Sequence, residues 1–522
     1  MPPVFSYIDP DVDRVLVLIR LSGGNDSLNM IVPLDQYDNL QYVRPEIILP
    51  RSSLLGASNN LGFHPSLSNI KKVFDQGECK IIQSVGYPNQ NRSHFRSMEI
   101  WSTGKTDDEN LSGTSNTGWL GRYLNGYHPQ FPENYPNAEY PDPFAISMGY
   151  YASETCQGSA ANFSMALEDP FSLRRISESD DSGNGSNYHS DEVSFIRLIM
   201  SQTNAYGSRI LAAADKGANS VAYPDTDLAQ QLKKVALLIS GGLGTRIYVV
   251  NLGGFDTHGG QVDGSNPTRG VHADLLRTVS DAVFAFRNDL KGLGHEQRVL
   301  SMTFSEFGRQ IAGNHSGGTD HGSAASLMMF GSCVRPDVLG HSPQISRNPA
   351  PQEGVAMEFD FRDIYGSILN QWFGVPLTGV RSILHNEFTL IDLIDCALSP
   401  EEPAPDPEPA PDPEPAPDPE PTPDPGVPET DIKFYISPNP CDRYTRITVD
   451  TLSERCKVTI YDANGVLKKL VADEMVTEGT QTYKLRLNNW ANGTYYVNVI
   501  LGGNRQATKP MIKVEDRHNL GN

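Results

Sequence analysis

The sequence predicts an α/β domain with a mostly parallel sheet covered by helices on both faces, followed by a smaller antiparallel β-sandwich. Three observations indicate this fold class. Short, continuous apolar runs that end at glycine turns are typical of strands buried on both faces. Helical patterns alternate with these runs, as they do around parallel sheets. After a proline-rich stretch, the pattern changes to alternating apolar and polar residues, which is typical of an antiparallel sandwich.

The predicted elements of the first domain follow one another in a regular order. Its strands are the apolar runs at residues 15–21, 81–86, 247–253, 299–304 and 327–331. Its helices are the periodic segments at about residues 193–215, 227–239, 272–291 and 361–373. Two polar, glycine-rich segments, 104–118 and 177–192, are predicted surface insertions.

An acidic, proline-rich linker is predicted at residues 399–431, between domains at 1–398 and 432–522. Its PAPDPE repeat fixes φ at every proline and removes backbone donors, so an extended rod is expected. Residues 400–431 contain eleven Asp or Glu and no Lys or Arg, of a chain net charge of -21. The domains themselves are therefore only mildly acidic.

The last domain is predicted from its alternating strands. TRITVD, KVTIYD, YKLRLN and TYYVNVIL are separated by Asn-Gly and Gly-Gly turns. This pattern predicts an antiparallel β-sandwich of about 90 residues.

Composition excludes several classes of function. A chain with a net charge of -21 cannot gain from counterion release on nucleic acid, so nucleic acid is excluded as a general partner. No apolar run approaches the roughly 18 residues of a membrane helix, and no transmembrane segment is predicted. The six cysteines contain no CxxC pair, so neither a zinc ribbon nor a disulfide framework is expected. Whether Cys441 pairs with Cys456 stays open.

Candidate site residues directly follow the apolar runs, because parallel sheets place their sites at the carboxyl ends of strands. They occur in the segments SGGND, NRSH, GGFDTHGG, SEFGR and GGTDHG. The candidate metal ligands are Asp26, Asp256, His258, Glu306, Asp320 and His321, and the candidate catalytic residues are Arg92 and Ser93.

These residue types point to metal chemistry. Carboxylates and imidazoles side by side in glycine-rich loops are suited to zinc, manganese, calcium or magnesium, and one or two such ions are expected. Two ions would activate a nucleophile and stabilise the charge of phosphoryl or sulfuryl transfer. One site would draw on Asp26, Glu306 and Ser93.

The other site would draw on Asp256, His258 and His321. Arg92 would hold a non-bridging oxygen of the anion with its planar guanidinium. Simpler roles remain open: Asp26 and Ser93 could only cap the helices that follow them, and Glu306 could only pair with Arg309.

The motifs of residues 13–395 resemble a known family. RVLVLIRLSGGNDSLNMIVP, LGFHPSL, VGYPNQNRSHF, LGGFDTHGG, TFSEFGR, GTDHG and FDFRDIYGSILNQWFG follow, in order, the pattern of the domain of unknown function 1501 family, which is described as sulfatase-like. That family is similar in fold to the alkaline phosphatase superfamily, whose members use one or two divalent metals and a Ser, Thr or modified Cys nucleophile.

The resemblance implies roles for individual residues. Asp26 matches the metal ligand after the first strand, and Ser93 matches the nucleophile. Asp256 and His258 match the pair of the second site, and Glu306 and His321 match the late carboxylate and the last histidine. Two departures stand out: the sequence Glu306-Phe307 replaces the usual Asp-His or Asp-Asn, and no CxPxR or SxPxR sequence provides a formylglycine nucleophile.

Residues 432–514 resemble the type A carboxyl-terminal sorting domain of type IX secretion systems. FYISPNPCDRYTRITV, VTIYDANGVLKKL, NGTYYVNVILGG and ATKPMIKV carry the resemblance. It implies the type IX machinery as a partner and export to the cell surface or the medium; the alternative is a β-sandwich binding module. Residues 1–13 contain no signal-peptide pattern, so we expect the natural start to lie upstream.

The sequence thus predicts a secreted or surface-anchored, metal-dependent hydrolase of phosphate or sulfate esters. Its substrate would be an anionic ester, with a glycan as one carrier, and the attacking group would be Ser93 or water. The alternatives are a non-catalytic surface protein with a degenerate metal site, and a single structural ion without turnover.

Overall fold

A computed structural model describes most of the chain. The residues described are 13–56, 60–106, 117–174, 188–264, 266–384 and 389–396, then 432, 434–437, 441, 444–462, 467–487, 490, 493–502 and 505–513. The chain divides into two compact units after residue 402. The linker, and most of the two predicted insertions, lie outside the described residues, so the domain boundaries stay predictions.

The described part of the first unit alternates strands with helices. The strands are β1 (Val15–Leu21), β2 (Ile31–Pro33), β3 (Leu55–Gly56), β4 (Leu61–Phe63), β5 (Cys79–Gly86), β6 (Ala145–Met148), β7 (Ser164–Leu167), β8 (Ile247–Leu252), β9 (Val299–Phe304), β10 (Ala325–Phe330), β11 (Val338–Leu339) and β12 (Phe359–Asp360). The helices are α1 (Ser27–Met30), α2 (Tyr37–Val43), α3 (Ser68–Asp75), α4 (His94–Thr103), α5 (Trp119–Tyr127), α6 (Tyr188–Lys216), α7 (Asp227–Ser240), α8 (Val271–Gly292), α9 (Phe361–Ser367) and α10 (Leu377–Leu384). A π-helix, Ile368–Trp372, continues α9.

One nine-stranded sheet organises this unit. Its order is β11-β5-β10-β9-β1-β8-β6-β7, and β12 pairs with β5. Every neighbouring pair is parallel except the two that involve β10. The short strands β2, β4 and β3 form a separate antiparallel sheet. The predicted mostly parallel sheet is therefore confirmed.

Strand β1 shows why the sheet is buried on both faces. Val15, Val17 and Ile19 belong to a core shared with α3, α7 and α8. Leu16 and Leu18, on the opposite face, belong to a core shared with α4, α5, α9 and α10. Alternate side chains of a strand point to opposite faces, so an uninterrupted apolar run supplies both cores. The prediction of helices on both faces is confirmed.

The second unit consists of antiparallel strands, as predicted. They are β13 (Phe434–Ser437), β14 (Tyr444–Thr451), β15 (Glu454–Asp462), β16 (Leu467–Val476), β17 (Gly479–Arg486), β18 (Gly493–Leu501) and β19 (Arg505–Lys513). They form two sheets, β13-β14-β17 and β16-β15-β18-β19. Ile447 and Leu485 of the first sheet share one buried core with Val458 and Val497 of the second.

The cysteines behave differently from the sequence expectation. A disulfide joins Cys333 to Cys396, whose Cα atoms are 4.9 Å apart and which are separated by 63 positions in sequence. Cys456 keeps its thiol, so the Cys441–Cys456 pairing that the sequence left open is not formed. Spacing could not identify the bonded pair because the fold, and not the sequence, brings it together.

Candidate metal centre

The candidate residues lie in loops at one edge of the large sheet. Strands β1, β5, β8 and β9 run in the same direction, so the segments that follow them leave at that edge. Strand β10 runs the opposite way and therefore begins there, which brings the preceding residues 320–321 to the same edge. An antiparallel strand thus contributes to the site by its amino-terminal end.

Three histidines and one aspartate converge at this edge. Nε2 of His258 and Nε2 of His321 each lie 3.2 Å from Oδ1 of Asp256, and they are 2.9 Å from each other. Nε2 of His94 lies 3.5 Å from Oδ2 of the same carboxylate. The ligand atoms of His94, Asp256 and His321 are all within 4.8 Å of one another. The side chain of Asp256 is 47% exposed, so the cluster is open to solvent.

Each imidazole of the cluster is held from behind through its Nδ1 atom. Nδ1 of His94 is 2.8 Å from Oε1 of Glu306, and Nδ1 of His258 is 2.7 Å from Oδ1 of Asp320. Nδ1 of His321 is 2.8 Å from the backbone oxygen of Arg92. An acceptor at Nδ1 favours the tautomer with its proton there and leaves the Nε2 lone pair toward the cluster. Histidines that bind metals are usually held in this way.

Asp256 is positioned by the buried guanidinium of Arg309. One NH2 group of Arg309 donates to Oδ1 of Asp256 at 2.6 Å. The same side chain donates to the backbone oxygens of Gly24, Phe255 and Thr319. Arg309 therefore joins the loops after β1 and β8 to the segment before β10. It takes one carboxylate oxygen of Asp256 and leaves the other directed toward His94.

The pKa shifts in the cluster follow from these contacts. Partial burial would raise the pKa of Asp256, but the hydrogen bond and charge of Arg309 outweigh it and lower that pKa. The hydrogen bond from His258 lowers the pKa of Asp320. Burial lowers the pKa of His321, against the opposing effect of the Arg92 carbonyl. Ionised carboxylates and a neutral imidazole are the forms that bind metal.

Glu306 lies behind the cluster instead of beside its ligand atoms. Its side chain is 2% exposed, and Oε1 accepts from the backbone N–H of Gly23 at 2.9 Å while contacting His94. It does not pair with Arg309. The neighbouring Phe307 packs against the rings of His94 and His321, with centroids 4.9 and 4.7 Å apart. The Glu306-Phe307 sequence thus supports two histidines.

Asp26 is not brought to the cluster. Its two oxygens lie 3.1 and 3.0 Å from NH1 of Arg44, and Oδ2 also accepts from Nε2 of Gln261 at 2.7 Å. Both side chains of the Asp26–Arg44 pair are completely buried. Burial would raise the pKa of Asp26, but the charge of Arg44 outweighs it and lowers that pKa. Asp26 therefore lies in a buried ion pair away from the cluster, and its role as a metal ligand stays a prediction.

Ser93 and Arg92 directly precede the cluster residue His94. Ser93 occupies the N-cap position of α4 with an extended backbone, but its side chain makes no capping hydrogen bond. It is exposed. Arg92 contributes its backbone oxygen to His321, a role that the sequence analysis did not foresee. A nucleophilic role of Ser93 and an anion-binding role of the Arg92 side chain stay predictions.

His94 was not among the predicted ligands, although it is central to the cluster. Its signal was present, because it follows strand β5 and is the first residue of α4. The resemblance drew attention to the adjacent Ser93 instead. Glu306 and Asp320, which were predicted as ligands, contact the Nδ1 atoms of His94 and His258 and so lie behind these histidines.

The donor set of the cluster fits a divalent metal ion. Three imidazole nitrogens and one carboxylate oxygen are ligands typical of zinc and related transition metals. Calcium and magnesium prefer oxygen ligands alone, so they fit less well. Among the described residues, His94, Asp256 and His321 are the one group of three histidine, cysteine or acidic side chains whose ligand atoms lie within 4.8 Å of one another, and His258 contacts Asp256 and His321 of that group.

The fold and the cluster together define a class of protein: an α/β protein with a cluster of histidines around an aspartate at the carboxyl edge of a mostly parallel sheet. Residues 13–372 match the model of the family described as protein of unknown function, DUF1501, and the chain belongs to that family. Residues 435–514 match a secretion system C-terminal sorting domain. Both resemblances found in the sequence are confirmed. No functionally curated protein matches the chain.

Several solved structures are weakly similar to the chain. A protein in the alkaline phosphatase superfamily from Vibrio parahaemolyticus has 10% identity and a TM-score of 0.32, over 68% of this chain and 65% of that one. A sulfatase from Pseudoalteromonas sp. has 12% identity and a TM-score of 0.30, over 91% and 84%. A phosphonate monoester hydrolase from Silicibacter pomeroyi has 9% identity and a TM-score of 0.30, over 96% and 89%. Similarity at this level supports no argument about activity.

No helix among the described residues is both long and apolar enough to cross a membrane.

Proposed function

We propose that the first unit is a metal-dependent hydrolase of phosphate or sulfate esters, carried to the cell surface or the medium by the second unit. The observation that supports this most strongly is the convergence of three Nε2 atoms on Asp256, each imidazole being held through Nδ1 by a separate acceptor. This arrangement is typical of histidines that bind a metal, and packing alone does not require it.

One transition-metal ion, with zinc as the first candidate, would be held by His94, Asp256, His258 and His321. Such an ion supplies Lewis acidity toward an ester oxygen and lowers the pKa of a nucleophile. A single ion is proposed because Asp26 and Glu306, two of the predicted ligands of a second ion, are engaged with Arg44 and His94.

The chain supplies two further groups. Ser93, exposed beside His94, is the proposed nucleophile: its oxygen forms a bond to phosphorus or sulfur, the bond to the alcohol breaks, and the alcohol takes up a proton. A water oxygen then forms a bond to phosphorus or sulfur, the bond to the Ser93 oxygen breaks, and that oxygen takes up a proton from the water as the acid is released. The Arg92 side chain is proposed to bind the non-bridging oxygens. If Ser93 serves only as a helix start, water attacks directly.

The test is metal content and turnover of the full chain after loading with zinc, manganese, calcium or magnesium. We expect about one zinc or manganese ion per chain and hydrolysis of 4-nitrophenyl phosphate or 4-nitrophenyl sulfate. Asp256→Ala and His321→Ala should lose both. The matched control His341→Ala, at a side chain that is 93% exposed, should lose neither.

Two results would contradict the proposal. One is the absence of bound metal in the wild type after loading, and the other is unchanged turnover in Asp256→Ala. A bound ion without turnover on any ester of either class would favour the alternative of a non-catalytic surface protein.

Export is tested separately. In a host with a type IX secretion system, the chain with its amino-terminal export signal supplied should reach the surface or medium. A version that ends before residue 432 should remain in the periplasm. Equal export of both versions would refute the sorting role of the second unit.

A further inference from the structure

A large cavity adjoins the candidate metal centre. Its volume is about 980 Å³, and His94 and Phe95 at the start of α4 belong to its wall. Other parts of the wall come from the carboxyl ends of β6, β8 and β9, including Met148, Asn251 and Phe304. Cavities of 300–1,000 Å³ are the usual size for an organic ligand. Because His94 lines the cavity and also reaches Asp256, a ligand in this space lies beside the cluster.

Arg20 projects into this cavity from the central strand. It lies near the end of β1, where it pairs in register with Asn251 of β8 and Phe304 of β9, and all three line the cavity. Its Nε atom is buried and has no hydrogen-bond partner. No carboxylate of the described residues forms an ion pair with it. Among the arginines of the site, Arg309 and Arg44 are fully engaged by carboxylate and backbone oxygens.

The unmet hydrogen-bonding capacity of Arg20 requires an explanation. Burial lowers the pKa of the Arg20 guanidinium, and the more distant charges of Glu306 and Glu154 only partly offset this. A buried donor without a partner costs free energy, and such groups are rare in folded proteins. A guanidinium presents parallel N–H donors that match the oxygens of a sulfate, phosphate or carboxylate. An oxyanion in the cavity would provide acceptors for the terminal N–H groups of Arg20, which lines the cavity wall.

The cavity can hold much more than an oxyanion. Phe95, Tyr150 and Tyr151 line it and are 92%, 74% and 84% exposed, so their rings are available to contact an organic group. Exposed aromatic rings beside a polar cavity are typical of ligand-binding surfaces. The hydroxyl of Tyr150 is held by Oε1 of Glu168 at 2.5 Å, which orients one of these rings.

We propose that Arg20 is the substrate-binding arginine of this cavity, where it holds an oxyanion of an ester whose organic part lies against Phe95, Tyr150 and Tyr151. This rests on the proposed function, since it takes the adjoining cluster as the reacting centre. The oxyanion is either the reacting ester group itself or a second acidic substituent of the same substrate. Both have the same chemistry, and both make Arg20 a determinant of specificity.

The first experiment measures anion binding without metal, so that it is independent of turnover. The full chain, treated with a chelator, is titrated with inorganic phosphate and with inorganic sulfate by calorimetry. Wild type is compared with Arg20→Met, Arg20→Lys and the control Arg277→Gln, which removes an exposed charge paired with Asp274 on α8. Circular dichroism and thermal unfolding establish that each variant is folded.

We expect the wild type and Arg277→Gln to bind at least one of the two anions equally well. Arg20→Met should bind it roughly ten- to one-hundredfold more weakly, as for loss of a charge-assisted hydrogen bond. The affinity of Arg20→Lys should lie between those of the wild type and Arg20→Met, because lysine keeps the positive charge but lacks the parallel N–H donors of the guanidinium. Undiminished binding by a folded Arg20→Met, or no binding of either anion to the wild type, overturns the proposal.

The source of the oxyanion is distinguished with metal-loaded protein and 4-nitrophenyl esters, which carry no second acidic group. If Arg20 holds the reacting group, Arg20→Met lowers kcat/KM on these esters. If Arg20 holds a second substituent, kcat/KM on these esters is unchanged although binding of the inorganic anion is lost. Metal content is measured in the same samples. Absence of metal from the wild type contradicts the proposed function, while lost anion binding in Arg20→Met with full metal content supports the role of Arg20 alone.

Discussion

Asp26 lies in a buried ion pair and Asp256 lies in the cluster. Alanine substitutions of these two aspartates should therefore have different effects on stability and on metal binding. In Asp26→Ala, the buried Arg44 loses its carboxylate, although it keeps the backbone oxygens of Gln310 and Ile311 as acceptors. Removing one partner of a buried ion pair typically costs about 3–5 kcal/mol in the free energy of unfolding, because the remaining charge stays desolvated. Asp256→Ala also removes the carboxylate partner of a buried arginine, Arg309, but Asp256 is half exposed and Arg309 keeps the backbone oxygens of Gly24, Phe255 and Thr319, so this substitution should cost less.

The assays are urea unfolding at neutral pH and metal analysis of the folded protein at low denaturant. Asp26→Ala should be strongly destabilised and still bind metal, whereas Asp256→Ala should be less destabilised and bind none. The double variant Asp26→Ala with Arg44→Met should be less destabilised than the sum of the single variants, because no uncompensated charge remains.

One result would refute the reasoning: an Asp26→Ala protein of nearly wild-type stability that has lost its metal. Asp26 would then be the ligand that the resemblance implies, and the Asp26–Arg44 pair would not describe the metal-bound state.

Three further predictions follow from other contacts. Glu306→Gln and Asp320→Asn should each weaken metal binding about ten- to one-hundredfold in chelator competition, because each removes the charge behind a histidine; unchanged affinity would contradict the positioning roles. Burial lowers the pKa of His64 to about 3, so this imidazole stays neutral in the folded protein when the unfolded chain already takes up a proton below pH 6.5. The contribution of His64 to the free energy of unfolding is therefore complete above pH 6.5 and is lost as the pH falls below that value. We expect the wild type to lose about 2 kcal/mol of unfolding free energy from this group between pH 7 and pH 5, and His64→Asn, which keeps an acceptor for the N–H of residue 66, should show a shallower dependence. Replacing Cys333 by Ser should lower the unfolding free energy by about 2–4 kcal/mol under oxidising conditions, as expected for a closed loop of 63 positions, and equal stability of variant and wild type would show that the bond with Cys396 is not formed.

Local patterns were sufficient to predict much of the large sheet. The apolar runs at 15–21 and 299–304 coincide with β1 and β9, because strands buried on both faces are rich enough in apolar residues to stand out although they contain Arg20, Ser301 and Thr303. The run at 327–331 was identified as a strand, but its reversed direction was not. An apolar run has no feature that specifies which way it crosses the sheet, and this direction depends on its neighbours β5 and β9.

The site could be predicted only in part, and the reason lies in long-range pairing. Residues that follow strands were correctly expected at one edge, since strand direction alone brings them there. Which carboxylate becomes a ligand depends on distant partners. Asp26 is taken by Arg44, 18 positions away, and Glu306 by His94, 212 positions away. Spacing along the sequence contains no information about either pair.

The hydrogen bonds at the Nδ1 atoms of the three histidines link different segments of the chain to one another. The donors come from three segments, at His94, at residues 256–258 and at His321. Glu306 holds the first, Asp320 holds His258 in the second, and the Arg92 carbonyl holds the third. Arg92 and His94 lie together at the start of α4, and Asp320 and His321 lie together before β10, so each of these two segments both supplies a donor and positions a donor from another segment. A shift of either segment would therefore disturb at least two donors. We infer that the cluster forms as a unit when these segments pack together, and that its geometry is held by the protein before any ion binds.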